Sequence, residues 1–177
     1  MTPVSFRVLI RPILVLVLAV TLPACSLFSS DSKREVPVKL NITIQAVADL
    51  NPDAKSRPSP MIVRVYELRS DATFSQADFF SLQNNDRATL SEDLLARDEF
   101  IVRPGDRRIT ISRTAHTQTG AIGVLAAYRN LPHSTWRTSF RFPPRTDAAW
   151  YHRLWSSSNT ISLQVFLEDN VVRILDE

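Results

Sequence analysis

A β-sandwich of about eight strands, all-β apart from one short helical insertion, is the fold this sequence predicts, and three observations predict it. Short segments alternate apolar and polar residues with period two, as half-buried strands do. Turn-forming residues separate these segments at short intervals, the spacing of an antiparallel sandwich. Once the first 24 residues are set aside, 153 of the 177 remain, enough for one domain with a sizeable core.

The first strand is the clearest. Val38, Leu40, Ile42, Ile44 and Ala46 alternate with Lys39, Asn41, Thr43 and Gln45, one set for the core and one for water. Met61 to Leu68, MIVRVYEL, is rich in β-branched and aromatic residues and reads as the second. Between them Asp49 to Pro60, DLNPDAKSRPSP, holds three prolines with Asn and Asp, which disfavour helix and strand alike. It is expected to be an exposed loop, of a length at which such loops are usually functional or mobile.

Thr73 and Gln76 have capping-box spacing ahead of Ala77, Phe79, Phe80 and Leu82. A helix is therefore expected over 74–82 with its aromatic face on a sheet, and Asp86 to Leu95 offers a further helical turn. Phe100 to Arg103 reads as a strand, and Pro104-Gly105 suits the centre of a type II turn because Gly supplies φ > 0. The chain returns over Arg107 to Thr114. Gly120 to Arg129 is apolar on both faces, as a central strand should be, and Asn130 to His133 turns it. Trp136, Thr138, Phe140 and Phe142 then alternate with Arg137, Ser139 and Arg141, giving one wet face, until Pro143-Pro144 ends the strand. Ile161, Leu163, Val165 and Leu167 alternate again, Glu168 to Asn170 turns, and Val171 to Leu175 is the eighth strand.

Ahead of the sandwich, eight apolar residues, Ile13 to Val20, follow Arg7 and Arg11. A positive end, a short apolar stretch and then small residues make a secretory signal. The stretch is too short to span a bilayer, which takes ~20 such residues. Leu22-Pro23-Ala24-Cys25 resembles the bacterial lipobox, with the chain's single Cys where acylation needs it. The expected organisation is a signal peptide over 1–24, acylated Cys25 with a flexible tether over 25–36, and the sandwich over 37–177. Ser26 to Pro37 is polar and cannot order itself by burial; extended, it reaches ~40 Å. Ser26 is not the Asp that retains many such lipoproteins at the inner membrane, so the lipobox resemblance implies an outer-membrane protein facing the periplasm.

Removing the signal removes two arginines and no acid, so the formal charge falls from +3 to +1. No basic stripe with interleaved aromatics is present, and nucleic acid is not an expected partner. With Cys25 taken by lipid no disulfide is possible, and stability rests on packing. Three Gly against eleven Pro argue against a phosphate-binding glycine loop.

Signs of catalysis are weak. His116, His133 and His152 fall in expected loops at unrelated spacings, as solvated surface residues do, and no metal-binding motif includes them. No Ser lies in G-x-S-x-G, so nucleophilic chemistry has no apparatus. Asp86, Glu92, Asp93, Asp98 and Glu99 form a loose acidic group, but surfaces routinely carry such charges, and paired carboxylates for glycoside hydrolysis are not evident. Neither an enzyme nor a cofactor or metal is expected. Trp150, Tyr151, His152 and Trp155 cluster in one loop that could stack on sugar, or fold over an open end of the sandwich. Arg137 and Arg141, with Arg107 and Arg113, could form a basic patch or simply line a solvated sheet face.

The lipobox, the run LNPDAKSRPSPMIVRVYELRSDATF from Leu50 to Phe74, RPGDRR from Arg103 to Arg108 and GVLAAYRNLPHSTWR from Gly123 to Arg137 together resemble the TssJ family, the outer-membrane lipoproteins of the type VI secretion system. The resemblance covers most of the chain between the lipobox and Phe142. It implies a transthyretin-like sandwich of two four-stranded sheets with short added helices, and no enzymatic activity. It also implies a partner, the periplasmic C-terminal domain of TssM, with TssL reached indirectly and the membrane held by the acyl chains on Cys25. In that family the loop between the first two strands contributes to TssM contact. Here it comprises Leu50, Asn51, Pro52, Asp53, Lys55, Arg57, Pro58 and Pro60, of which Leu50 could be an apolar anchor and the charges could set register. The alternative is a periplasmic glycan-binding lipoprotein that uses Trp150 and Trp155.

Overall fold

A computed structural model of the chain describes residues 38–142 and 160–176. In chain order these form β1 (Lys39–Ala46), β2 (Met61–Leu68), helices α1 (Ala72–Gln76) and α2 (Phe79–Leu90), and a 3-10 turn at Ser91–Asp93. There follow β3 (Leu94–Val102), β4 (Ile109–Thr114), β5 (Ala121–Ala126), a 3-10 turn at Leu131–His133, β6 (Arg137–Arg141), β7 (Thr160–Leu167) and β8 (Val172–Asp176). Cys25, the signal peptide, the tether, Pro143-Pro144 and the cluster from Trp150 to Trp155 lie outside the described residues.

Two four-stranded sheets face each other, ordered β4-β1-β7-β8 and β3-β2-β5-β6. All neighbours pair antiparallel except β1 and β7, which run parallel with Leu40 beside Ile161, Ile42 beside Leu163 and Ile44 beside Val165. This register lines the apolar positions of β1 and β7 in rows on one face. They bury against Val63, Val65, Ile122 and Val124 of the other sheet. The alternation legible in β1 and β7 is thus the inner face of the sandwich, and their polar residues face water.

The second sheet is buried on both sides. Outward from β2 and β5, Tyr66, Leu68 and Leu125 pack under Phe74, Leu82 and Leu90 of the two helices. A Cβ at Gly123 would lie 3.0 Å from the Phe74 ring, so the bare glycine lets that ring sit down on the sheet. This double burial is why the stretch around β5 is apolar throughout.

The insertion departs from expectation in its details. Asp78 caps α2, its Oδ1 accepting from the Ser81 amide at 3.0 Å. Thr73 instead lies inside α1 and donates to Asp93 Oδ2 at 2.8 Å, so the anticipated capping box does not form. The helix extends past Leu82 to Leu90 through a kink at Asn85 (φ −139°, ψ 42°). Leu94 onward is strand rather than helix. Its alternation is hidden because charges stand on both faces: Arg97 and Glu99 reach toward the insertion, while Asp98 meets Arg113.

A buried charge network fastens the insertion. Arg64 donates through Nη1 to the Leu82 and Gln83 carbonyls at 3.1 and 2.8 Å, and through Nε to Glu99 at 2.7 Å. The buried Asp86 carboxylate accepts from Arg97 at 2.7 Å and from the Tyr66 hydroxyl at 3.3 Å. Burial alone would raise Asp86, but Arg97 and Arg64 outweigh it and hold the carboxyl below its ordinary range. Burial pushes Tyr66 up to about 12.

The face of β6 expected to be wet is partly covered, with Arg137 and Ser139 half-buried and Arg141 exposed. Ser139 and Arg141 each donate to Asp71 at 2.7 Å. Arg137 donates to the carbonyls of Phe74 and Ala77 and lies 4.6 Å from the Trp136 ring centroid. Arg113, on β4 in the other sheet, turns inward to Glu67 and Asp98. Arg107, Arg113, Arg137 and Arg141 therefore do not assemble into one basic patch.

Candidate functional site

The sandwich has two unlike ends. At one, β1 begins, and the chain arrives there from the N-terminal side; the β4–β5 loop lies at this end too. At the other, the β1–β2 loop, the β3–β4 turn, the β5–β6 loop and the β7–β8 turn converge.

Asn51 ties this second end together. Its backbone amide donates to the Asp169 carbonyl at 3.1 Å, its Nδ2 to the Pro60 carbonyl at 3.3 Å, and its Oδ1 accepts from the Arg129 amide at 2.8 Å. Three loops thus hang on one buried residue, through its backbone and its side chain. Its φ of 49° is a left-handed conformation that Asn tolerates better than most residues. Leu50, next to it, is fully buried in the inter-sheet core. Both residues therefore hold the loop to the sandwich, and Leu50 as folded presents no apolar anchor outward.

Beyond them the loop closes on itself. The Ser59 amide donates to the Leu50 carbonyl at 3.0 Å, shutting the base. Asp53 Oδ1 accepts from the amides of Lys55 and Arg57 at 2.8 and 3.0 Å, and its Oδ2 accepts from Arg57 Nε at 2.8 Å. Hydrogen bonds from Arg57, its side chain foremost, hold Asp53 below its ordinary pKa, with Arg129 adding charge nearby. Ala54, Lys55, Ser56, Arg57, Pro58 and Pro60 are left exposed, and Pro52 is half-buried. The tip is a polar, prefolded surface that loses little entropy when something docks on it.

The neighbouring loops are pinned to it. The Gly105 amide donates to the Val47 carbonyl at 2.9 Å and the Ala46 amide to the Asp106 carbonyl at 2.7 Å, joining the β3–β4 turn to the start of the loop. The Tyr128 hydroxyl donates to the Glu168 carbonyl at 3.1 Å, and burial raises its pKa. Arg129 and the turn arginines Arg103, Arg107 and Arg108 are exposed here. Arg129 carries no local sequence signal, since only the long-range bond to Asn51 brings it beside Asp53.

At the opposite end Glu67 is buried between the sheets. Its carboxylate accepts from Arg113 Nε at 3.1 Å, the His116 amide at 2.6 Å and the Thr119 hydroxyl. Burial opposes its charge, but Thr119, His116 and Arg113 prevail and lower its pKa. His116 has its Nδ1 3.0 Å from the same carboxylate, so it is not a merely solvated residue; His133 is exposed and contacts Asn130. Of the acidic group near the insertion, Asp86, Asp98 and Glu99 pair with arginines and Asp93 accepts from Thr73, so these carboxylates are engaged in holding the fold. Among the described residues no three His, Cys, Asp or Glu converge as a metal site.

The profile of the type VI secretion lipoprotein family (VasD, EvfM, TssJ) matches residues 38–170. The crystal structure of the T6SS lipoprotein TssJ1 from Pseudomonas aeruginosa is similar at 34% identity and a TM-score of 0.68, covering 80% of this chain and 98% of that one. Serratia marcescens Lip, a membrane-bound component of the type VI secretion system, is similar at 32% identity and a TM-score of 0.69, covering 77% and 96%. A chain in the structure described as the T6SS protein TssM C-terminal domain from EAEC shares the fold at 19% identity, with a TM-score of 0.57 and coverage of 79% and 98%. No curated protein sequence matches.

Proposed function

The chain belongs to the type VI secretion lipoprotein family of TssJ and VasD, and from that premise we propose that it anchors the secretion membrane complex to the outer membrane by binding the periplasmic C-terminal domain of TssM. Acyl chains on Cys25 hold the membrane, and the loop end of the sandwich holds TssM, with TssL joined only through TssM. The role is mechanical and involves no bond chemistry. A single acyl chain anchors only marginally; several on one Cys make release negligible.

The observation that carries this reading is the placement of the interlocked loops. The β1–β2 loop stands at the end of the sandwich opposite the start of β1, and Lys55, Arg57 and Pro58 are exposed there, open to a partner rising from the inner membrane. Their prefolded arrangement around Asp53 suits a permanent contact. The chain in the TssM structure with this fold is in keeping with the partner named.

The test separates the two holds. Cys25→Ser should leave binding of the TssM periplasmic domain at the native level while membrane fractionation and secretion are lost. Lys55→Glu with Arg57→Glu should weaken TssM binding and leave the protein in the outer-membrane fraction. Secretion at the native level by Cys25→Ser would contradict the anchor.

A further inference from the structure

Building on the anchor reading, we infer that the β3–β4 turn is a second contact element beside the β1–β2 loop, and that its arginines receive an acidic segment of the same partner. Arg103, Arg107 and Arg108 are exposed, and among the described residues they make no ion pair. Elsewhere on the strands Arg64, Arg97, Arg113, Arg141 and Arg173 have a carboxylate partner, and Arg137 donates to two backbone carbonyls. Exposed pairs stabilise a fold little, so leaving these adjacent cations unpaired costs the body little and keeps them available to a partner's carboxylates.

The turn is rigid enough to present them. Gly105 has φ 79° and the Asp106 amide donates to the Arg103 carbonyl at 3.1 Å, the geometry of a type II turn with Gly where φ must be positive. Asp106 Oδ2 accepts from the Arg103 amide at 2.8 Å, which occupies that carboxylate within the turn. The bonds from Gly105 to Val47 and from Ala46 to Asp106 make the turn continuous with the base of the β1–β2 loop. Val47, 37% exposed, lies between the two and adds an apolar contact. Lys55 and Arg129 continue the cationic rim on the far side of the loop.

An acidic protein surface fits this rim better than an anionic bilayer. Asp49 and Asp169 are exposed among the cations, which would oppose a uniformly negative membrane but can register against a patterned protein face. The rim also stands at the end away from the start of β1.

The experiment uses the full acylated protein in detergent and the periplasmic C-terminal domain of TssM as the probe, with association measured at low and high salt. Arg107→Glu with Arg108→Glu should slow association about tenfold at low salt and flatten its salt dependence. The thermal midpoint should not move, and Lys39→Glu, at the opposite end of the sandwich, should bind as the native protein does. An unchanged on-rate and salt slope in the double variant overturns the inference. So does a loss confined to capture by phosphatidylglycerol vesicles with TssM binding intact. Native protein that does not bind the probe at any salt overturns the anchor reading and this inference together.

Discussion

Buried carboxylates beside the helical insertion and between the sheets are paired with arginines, whereas the cations at the loop end stand in water. Glu67, Asp71 and Asp86 are each buried, and each accepts from at least one arginine. Such pairs cost desolvation and repay it only through good geometry, so their effect is to fix how the helices and the two sheets seat on one another. Lys55, Arg103, Arg107, Arg108 and Arg129 are exposed, and the described residues give them no ion pair. One set maintains the body. The other is available to a partner.

The contrast can be broken most sharply at Leu50, a core residue within the loop that also carries exposed cations. Leu50→Ala should cost about 3 kcal/mol of stability in urea denaturation, as for other buried leucines; a loss of TssM affinity without a loss of stability would make it a partner contact instead. Glu67→Ala leaves Arg113 beside a lost partner and should cost about 3 kcal/mol. At a temperature where it is folded, that variant should bind TssM as the native protein does.

Acid should act on the stability of the body through the first set. Glu67, Asp71 and Asp86 have folded pKa values below their ordinary values of 4.5, 3.8 and 3.8. Their contribution is therefore present above those values and is lost as pH falls through the lower folded ones. Denaturation followed down from neutral pH should show stability falling below about pH 4.5, and Asp86→Asn should make that fall shallower. The smallest effect on the fold is expected from Arg57→Ala, whose side chain is 72% exposed. Its thermal midpoint should stay in place while its affinity for TssM drops several-fold, and the reverse outcome would move Arg57 into the first set.

The body was legible where one face of a strand is wet and the other dry, as in β1 and β7, and where a turn demands a residue type, as at Gly105. The first part of β3, Leu94 to Glu99, was not, because Asp98 is paired by Arg113 on one face while Arg97 and Glu99 are paired on the other. Glu67 lies in an apolar strand, and nothing nearby in sequence announces Arg113 or Thr119, 46 and 52 residues on. At the candidate site the loop itself was legible from its prolines. Which of its residues face inward was not: Leu50 is drawn into the core by closure of the loop base at Ser59, and Asn51 by partners on two other loops.

Hydrogen exchange of the full protein, free and bound to the periplasmic domain of TssM, tests the central claim most directly. Slowed exchange across residues 50–60 and 103–108, with the helices over 72–90 unchanged, is the result expected. Slowed exchange over the helices or the outer face of β1 and β7, with the loop end untouched, would contradict it.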